Sequence, residues 1–193
     1  MKHSGVSRLR PCRERLQLGG TTVAAGQLLG CRCDGGRQEP GSIGLVIMIR
    51  IARPDELAAL EALQRRASLA NPGDREAILA HPEAIVIPAS QVANAQVFVA
   101  EGDGTLLGFS AVLDRDDDDT ELDGLFVEPS LWRGGVGRLL VDRAIDYGRD
   151  RASSWLHVVG NPHAEGFYAA CGFVTYGTHE TEFGRGLLMK VPI

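Results

Sequence analysis

Cysteine is scarce. The 193-residue chain has four, and Cys12, Cys31 and Cys33 fall early, leaving Cys171 alone in the remainder. That is too few for a disulfide scaffold and points to a reduced, cytoplasmic protein. Cys31-Arg32-Cys33 has no second Cys/His pair at zinc-ligand spacing, and His163 and His179 have no partners at useful spacing, so no metal site is expected. Long apolar runs are also missing. The best candidate, residues 43–51, is broken by Gly44 and meets Arg50, well short of the roughly 20 residues that cross a bilayer. Basic charge is in deficit, with a net charge of -5 and a pI near 5.5. A dedicated nucleic-acid binder would show a basic face instead. Neither a membrane nor a nucleic acid is expected as a partner.

Composition shifts near Met48. Residues 1–47 hold seven basic and three acidic residues and nine of the 24 glycines, whereas residues 48–193 hold 13 basic and 22 acidic residues. The leading segment shows no period of 2 or 3.6 and has too little apolar content to offset its chain entropy. A secretory signal is disfavoured because its apolar stretch is diluted by Gly19, Gly20, Thr21, Thr22, Gly26 and Gln27. An Arg-rich transit peptide is an alternative. The reading preferred here is a disordered or upstream-translated extension over 1–47, followed by one folded domain over 48–193.

Within that domain the pattern predicts a strand over 49–52 and a helix from Pro54 to about Ala67. Asn71-Pro72-Gly73-Asp74 breaks that helix, and a short second helix covers 75–81. Strands follow at 97–100 and 106–113, joined by the turn Glu101-Gly102-Asp103-Gly104, and then an acidic loop at 114–120. A strand at 121–127, a helix over 137–151, a strand at 155–159, a helix over 162–170 and strands at 173–181 and 187–191 complete the order. Strands alternating with helices imply a single α/β (α+β) sheet. The acidic loop reads as solvated, with long-range attraction of a cationic amine as the functional alternative.

The chemistry concentrates in Val127-Glu-Pro-Ser-Leu-Trp-Arg-Gly-Gly-Val-Gly-Arg138, where a strand enters a glycine turn that opens a helix. The first N–H groups of a helix have no internal partner and carry partial positive charge. Gly134, Gly135 and Gly137 would let an anion approach them, with Arg133 or Arg138 assisting. No lysine follows the turn as a nucleotide-hydrolase loop requires, and Leu140 stands where a dinucleotide fingerprint needs glycine.

A second constellation is Asn161-Pro-His-Ala164-Glu-Gly-Phe-Tyr168-Ala-Ala-Cys-Gly172-Phe173. Together the two segments resemble the GCN5-related N-acetyltransferase (GNAT) superfamily. Its motifs are Val-x-Pro, then Gln/Arg-x-x-Gly-x-Gly/Ala, and later Asn-x-x-Ala-x-x-Phe/Leu-Tyr-x-x-x-Gly-Phe. The order of elements matches over 48–193, and the specific motifs cover 121–138 and 161–173. One position departs: Trp132 stands where the family has its leading Gln or Arg.

The resemblance implies a mixed, mostly antiparallel sheet of six to seven strands flanked by about four helices. It implies acetyl-CoA as co-substrate and transfer to a primary amine of a small molecule or protein, by direct attack in a ternary complex. Cofactor contacts then fall to Arg133, Gly134, Gly135, Val136, Gly137 and Arg138, and to a splayed strand at Leu125, Phe126 and Val127 eased by Gly124. Asn161 would contact the cofactor arm or act as a plain helix cap. Tyr168 would be the proton donor to the departing thiolate. Glu121 would be the general base, with Asp123 or water as the alternative. Glu180, Glu182 and Arg185 would lie in a hairpin walling the acceptor pocket. A homodimer through the last strands is left open. The competing function is a non-catalytic acyl-CoA-binding module.

Overall fold

The computed structural model describes residues 46–193 apart from 182 and 183. Most of the 1–47 extension, Cys12, Cys31, Cys33 and Glu182 therefore lie outside the described residues.

Seven strands form one sheet: β1 (Ile47–Ile51), β2 (Val97–Gly102), β3 (Thr105–Asp114), β4 (Thr120–Val127), β5 (Trp155–Gly160), β6 (Val174–Thr181) and β7 (Gly184–Pro192). Their spatial order is β1-β2-β3-β4-β5-β7-β6. Every neighbouring pair is antiparallel except β4–β5. Among the described residues five α-helices accompany them: α1 (Leu57–Ala70), α2 (Arg75–Ala80), α3 (Ala89–Ala93), α4 (Val136–Arg149) and α5 (Glu165–Ala170).

Strand alternation builds two cores. Val97 and Val99 point to one face, where they meet Phe109, Ala111 and the buried stripe Leu60 and Leu63 of α1. Phe98 and Ala100 point to the other face, toward Val141, Ala144 and Tyr147 or Val136 and Leu140 of α4. Side chains three and four apart on one helix share a stripe, while strand neighbours alternate faces, and the sequence satisfies both periods.

The alternation breaks in β4, as the register also does between β2 and β3 and between β6 and β7. Ala111 pairs with Gly124 and Val112 with Leu122, so Asp123 is an extra residue with no partner opposite. Leu122 and Leu125, three apart, consequently both face the α4 core. Bulges bend a strand and raise its twist. The effect is visible at once: β4 pairs with β5 only from Thr120 to Leu122, and Leu125, Phe126 and Val127 run on with one edge lacking a strand partner. The sheet opens there as a wedge.

Arg50 fastens β1 to the start of α1. Its guanidinium donates to Glu56 at 2.6 Å and also binds Glu101, with the Glu56 side chain only 8% exposed. Glu56 further accepts the Arg53 N–H at 2.7 Å. The hydrogen bond from Arg50, against the opposing effect of burial, holds the Glu56 carboxyl at about 2 instead of its usual 4.5. A depressed carboxylate contributes stability that is complete above its unfolded value and lost as pH falls through the folded one. Glu56→Gln is expected to lower the melting temperature at pH 7 by about 3–12 °C, from a charged hydrogen bond of about 1.5–3 kcal/mol. That difference should shrink between about pH 4.5 and pH 2. Parallel melting curves for both proteins across that range check it.

The acidic loop is solvated, with Asp114, Asp116, Asp117 and Asp118 exposed, and three of its carboxylates also make structural contacts. Asp114 accepts from the Tyr147 hydroxyl at 3.0 Å, Asp117 pairs with Arg115 at 3.0 Å, and Asp119 accepts the Ser154 and Trp155 N–H groups at 3.0 Å. Asp119 also faces His157 Nε2 at 3.2 Å. These carboxylates join β3, β4, α4 and β5 and are spent on that task. Among the described residues no cluster suits a metal ion, and no helix is long and apolar enough to cross a membrane.

Candidate active site

Past Val127 the chain makes a short turn of helix at Pro129–Leu131 and then a left-handed corner before α4. Arg133 has φ 65° and Gly135, the residue before α4, has φ 88°. A side chain at Gly135 would be strained by the backbone alone, because L-residues rarely adopt that conformation. Trp132 holds the corner in place by donating its indole N–H to the Val127 carbonyl at 2.8 Å. A residue that departs from the family pattern therefore has a definite role, latching the turn to the end of β4.

The corner leaves a row of bare donors. Gly134 N–H reaches Leu131, and Leu139 N–H is the first to reach back, to Gly135. The N–H groups of Arg133, Gly135, Val136, Gly137 and Arg138 have no acceptor among the described residues. Successive unpaired amides around a left-handed kink, at the positive end of a 14-residue helix, are the elements of an anion cradle. The arrangement suits a diphosphate. Gly137 also serves packing: a Cβ there would meet the Phe167 ring at 3.2 Å, so its smallness lets α5 pack close. Arg138 binds the Ala170 carbonyl at 2.6 Å at the end of α5, while Arg133 is exposed and unengaged.

The cradle and the unpaired edge of β4 open on one cleft of about 680 Å³. Leu125, Phe126, Val127, Trp132, Arg133, Gly135, Gly137 and Arg138 line it from one side. Phe167 and Cys171 of the α5 region form another wall, and Ser68, Asn71 and Asp74 come from the end of α1 and the turn after it. This volume is in the range of pockets that enclose drug-sized ligands. Arg66 of α1 pairs with Glu128 at 2.9 Å and ties that turn-bearing helix to the end of β4.

Tyr168 stands behind the Phe167–Cys171 wall. Its ring is buried between Phe167 and Phe173, with edge contacts at 5.2 and 5.4 Å between centroids. Its hydroxyl has no hydrogen-bond partner among the described residues. Yet no side-chain polar atom there is both sealed from solvent and unpartnered, so the hydroxyl opens onto accessible space. Burial pushes the phenol well above its ordinary pKa, and the negative charge of Asp74, with that of Cys171 once it ionises, pushes in the same direction. Such a group keeps its proton at neutral pH. Burial likewise raises the Cys171 thiol, which is free.

The remaining expected site residues lie elsewhere. Glu121 is paired with Arg115 at 3.0 Å near the start of β4, on the closed part of the wedge, and does not line the cleft. Asp123, the bulge residue, is exposed and accepts from Gln91 at 2.9 Å. Asn161 caps the turn before α5, accepting the His163 N–H at 2.9 Å, and donates from Nδ2 to Asp74 at 2.6 Å. Asp74 itself was missed from sequence. Its only local signal was a helix-breaking turn.

A sequence profile of the acetyltransferase (GNAT) family matches residues 59–173. Among solved structures, the chain is similar in fold to the PaiA N-acetyltransferase from Thermoplasma acidophilum in complex with coenzyme A (18% identity, TM-score 0.63, 77% of this chain and 100% of that one). It is also similar to a GCN5-related N-acetyltransferase from Rhodopseudomonas palustris (22%, 0.61, 79% and 100%). A third is yncA from Salmonella typhimurium with its cofactor acetyl-CoA (19%, 0.58, 76% and 94%). No curated protein sequence matches the chain. The profile covers more than half of the chain, from α1 through the Gly172-Phe173 corner, and the protein belongs to the acetyltransferase (GNAT) family.

Proposed function

We propose that this protein is an N-acetyltransferase that joins acetyl-CoA and a primary amine, of a small molecule or a protein, in one ternary complex. The observation that carries the reading is the row of five unpaired amides at Arg133 and Gly135–Arg138, of which Arg133, Gly135, Gly137 and Arg138 belong to residues lining the same cleft as the unpaired edge of β4. Acetyl-CoA supplies, when bound, an acetyl group already activated as a thioester.

The chain's own residues do the rest. The amides of the corner hold the diphosphate, with Arg133 and Arg138 adding charge at its rim. Leu125, Phe126 and Val127 offer main-chain groups along the open edge to the amide-bearing arm, and one N–H there can polarise the acyl carbonyl. Tyr168 holds a proton it can give to a departing thiolate. A reducing, cytoplasmic setting belongs to the same reading and suits the free Cys171 thiol.

The test is calorimetric titration with CoA, followed by thiol release from acetyl-CoA over a panel of amines, peptides and aminoglycoside-type antibiotics. Binding together with amine-dependent thiol release is the expected result. Binding without thiol release from any amine would establish a non-catalytic acyl-CoA-binding module instead. A well-folded protein that fails to bind CoA at millimolar concentration would overturn the reading.

A further inference from the structure

The turn Asn71-Pro72-Gly73-Asp74 links α1 to α2, and its construction is deliberate. Asn71 Oδ1 accepts the Gly73 N–H at 3.0 Å, and the Asn71 carbonyl accepts the N–H groups of Asp74 and Arg75 at 3.1 and 3.0 Å. Gly73 lets this turn press against the one that opens α5: a Cβ at Gly73 would fall 2.3 Å from the Asn161 amide and 2.7 Å from the His163 ring. The two turns are joined by the 2.6 Å bond from Asn161 Nδ2 to Asp74 Oδ1, between residues 87 apart in sequence. Asp74 is thereby fixed in the wall of the cleft, and among the described residues it is the one carboxylate lining it.

We propose that Asp74 is the carboxylate that receives the acceptor's ammonium group in the cleft and takes its proton. The assignment rests on the acetyltransferase reading and deepens it at the step that reading leaves open. An alkylammonium with pKa near about 10 must lose a proton before its nitrogen can attack. Glu121 is committed to Arg115 outside the cleft, and Asp123 to Gln91. The charge of Asp74 acts on the Tyr168 phenol, whose ring packs against Phe167, a residue that lines the same cleft as Asp74.

The surroundings of Asp74 fit the task. Asn161 donates to it, His163 lies beside it, and Asn71 and Tyr168 complete the set. Burial raises its carboxyl above the ordinary range, against the opposing pull of the Asn161 bond. A carboxylate placed this way is more basic than an exposed one. The protons balance. Asp74 takes the first from the ammonium and passes it to solvent. The nitrogen bonds to the acyl carbon, the carbon–sulfur bond breaks with its electron pair on sulfur, and Tyr168 protonates the sulfur. The nitrogen's second proton then restores Tyr168.

The experiment compares acetyl-CoA thiol release by wild type, Asp74→Asn and Asp74→Glu with n-butylamine, spermidine and a peptide N-terminus. Methoxyamine, already neutral at pH 7, is the fourth acceptor. Asparagine keeps an oxygen for Asn161 to bond, so the two turns stay joined. Asp74→Asn is expected to lower kcat/KM about 10²-fold with the protonated amines. The loss should be about ten times smaller with methoxyamine, with partial recovery in Asp74→Glu and the CoA dissociation constant changed by less than about threefold. An equal loss with methoxyamine would reduce Asp74 to a structural role and overturn the assignment. So would full activity in Asp74→Asn, or the 10²-fold loss appearing in Glu121→Gln instead. Absence of wild-type thiol release with every amine would overturn the acetyltransferase reading, and this assignment with it.

Discussion

Replacing Tyr168 with phenylalanine is expected to lower kcat by roughly 10²–10⁴-fold, the usual worth of a positioned proton donor. The prediction separates chemistry from packing because the two parts of this side chain do different things. The ring fills a core between Phe167 and Phe173, and phenylalanine fills it equally well. The hydroxyl bonds to nothing among the described residues, so its removal leaves no buried partner stranded. Stability should therefore change by less than about 1 kcal/mol, since no intramolecular hydrogen bond is lost. CoA affinity should hold as well. Steady-state kinetics and a melting curve on the same preparation check both halves. Unchanged turnover would leave the tyrosine a core residue and no more.

The second large effect belongs to Gly135. At φ 88° a β-branched residue costs at least about 1–2 kcal/mol of backbone strain, which the corner relieves by turning. Nothing lies within 4 Å of where its Cβ would stand, so Gly135→Val does not clash with the core. What it disturbs is the convergence of the amides. Losing two charge-assisted hydrogen bonds of about 1.5–3 kcal/mol each weakens CoA binding by about 10²–10⁴-fold. Gly135→Ala is milder, and Arg133→Ala milder still because that guanidinium is exposed and screened. Calorimetric dissociation constants for the three variants, with circular dichroism to confirm the fold, give the order. If Arg133→Ala proves the most damaging, the diphosphate is held by side-chain charge and not by the backbone.

Local signals carried most of the fold. The strands, α1, α4 and the glycine corner are written in periods and turn residues that a window of a dozen positions contains. The seven-strand, mostly antiparallel sheet agrees with the architecture implied by the two motifs. The failures are equally physical. Helix α3 has five residues, too few to show a period, and went unread. Strand β1 begins at Ile47 because Gly102 is there to pair with it, a choice made by the partner strand.

The site was legible only where it is local. The unpaired amides follow from a glycine turn opening a helix, which any reader of 127–138 can see. Asp74 does not, because its meaning depends on Asn161, and nothing at either position announces the other. Asn161 was expected against the cofactor arm or as a cap. The structure shows the cap and adds the link to Asp74. Trp132 departs from the family pattern in sequence and is a latch in the structure, since the carbonyl it binds belongs to the strand before it. Glu121 was the base implied by the resemblance, but Arg115, six residues away across the acidic loop, takes its carboxylate.

Backbone amide NMR reads the central claim atom by atom. On titration of the 20.7 kDa protein with CoA, the largest nitrogen and proton shifts should fall on Arg133, Gly135, Val136, Gly137 and Arg138. Gly134, whose N–H is already bonded to Leu131, should move less. Saturating CoA that leaves those five resonances in place while shifting others would contradict the account.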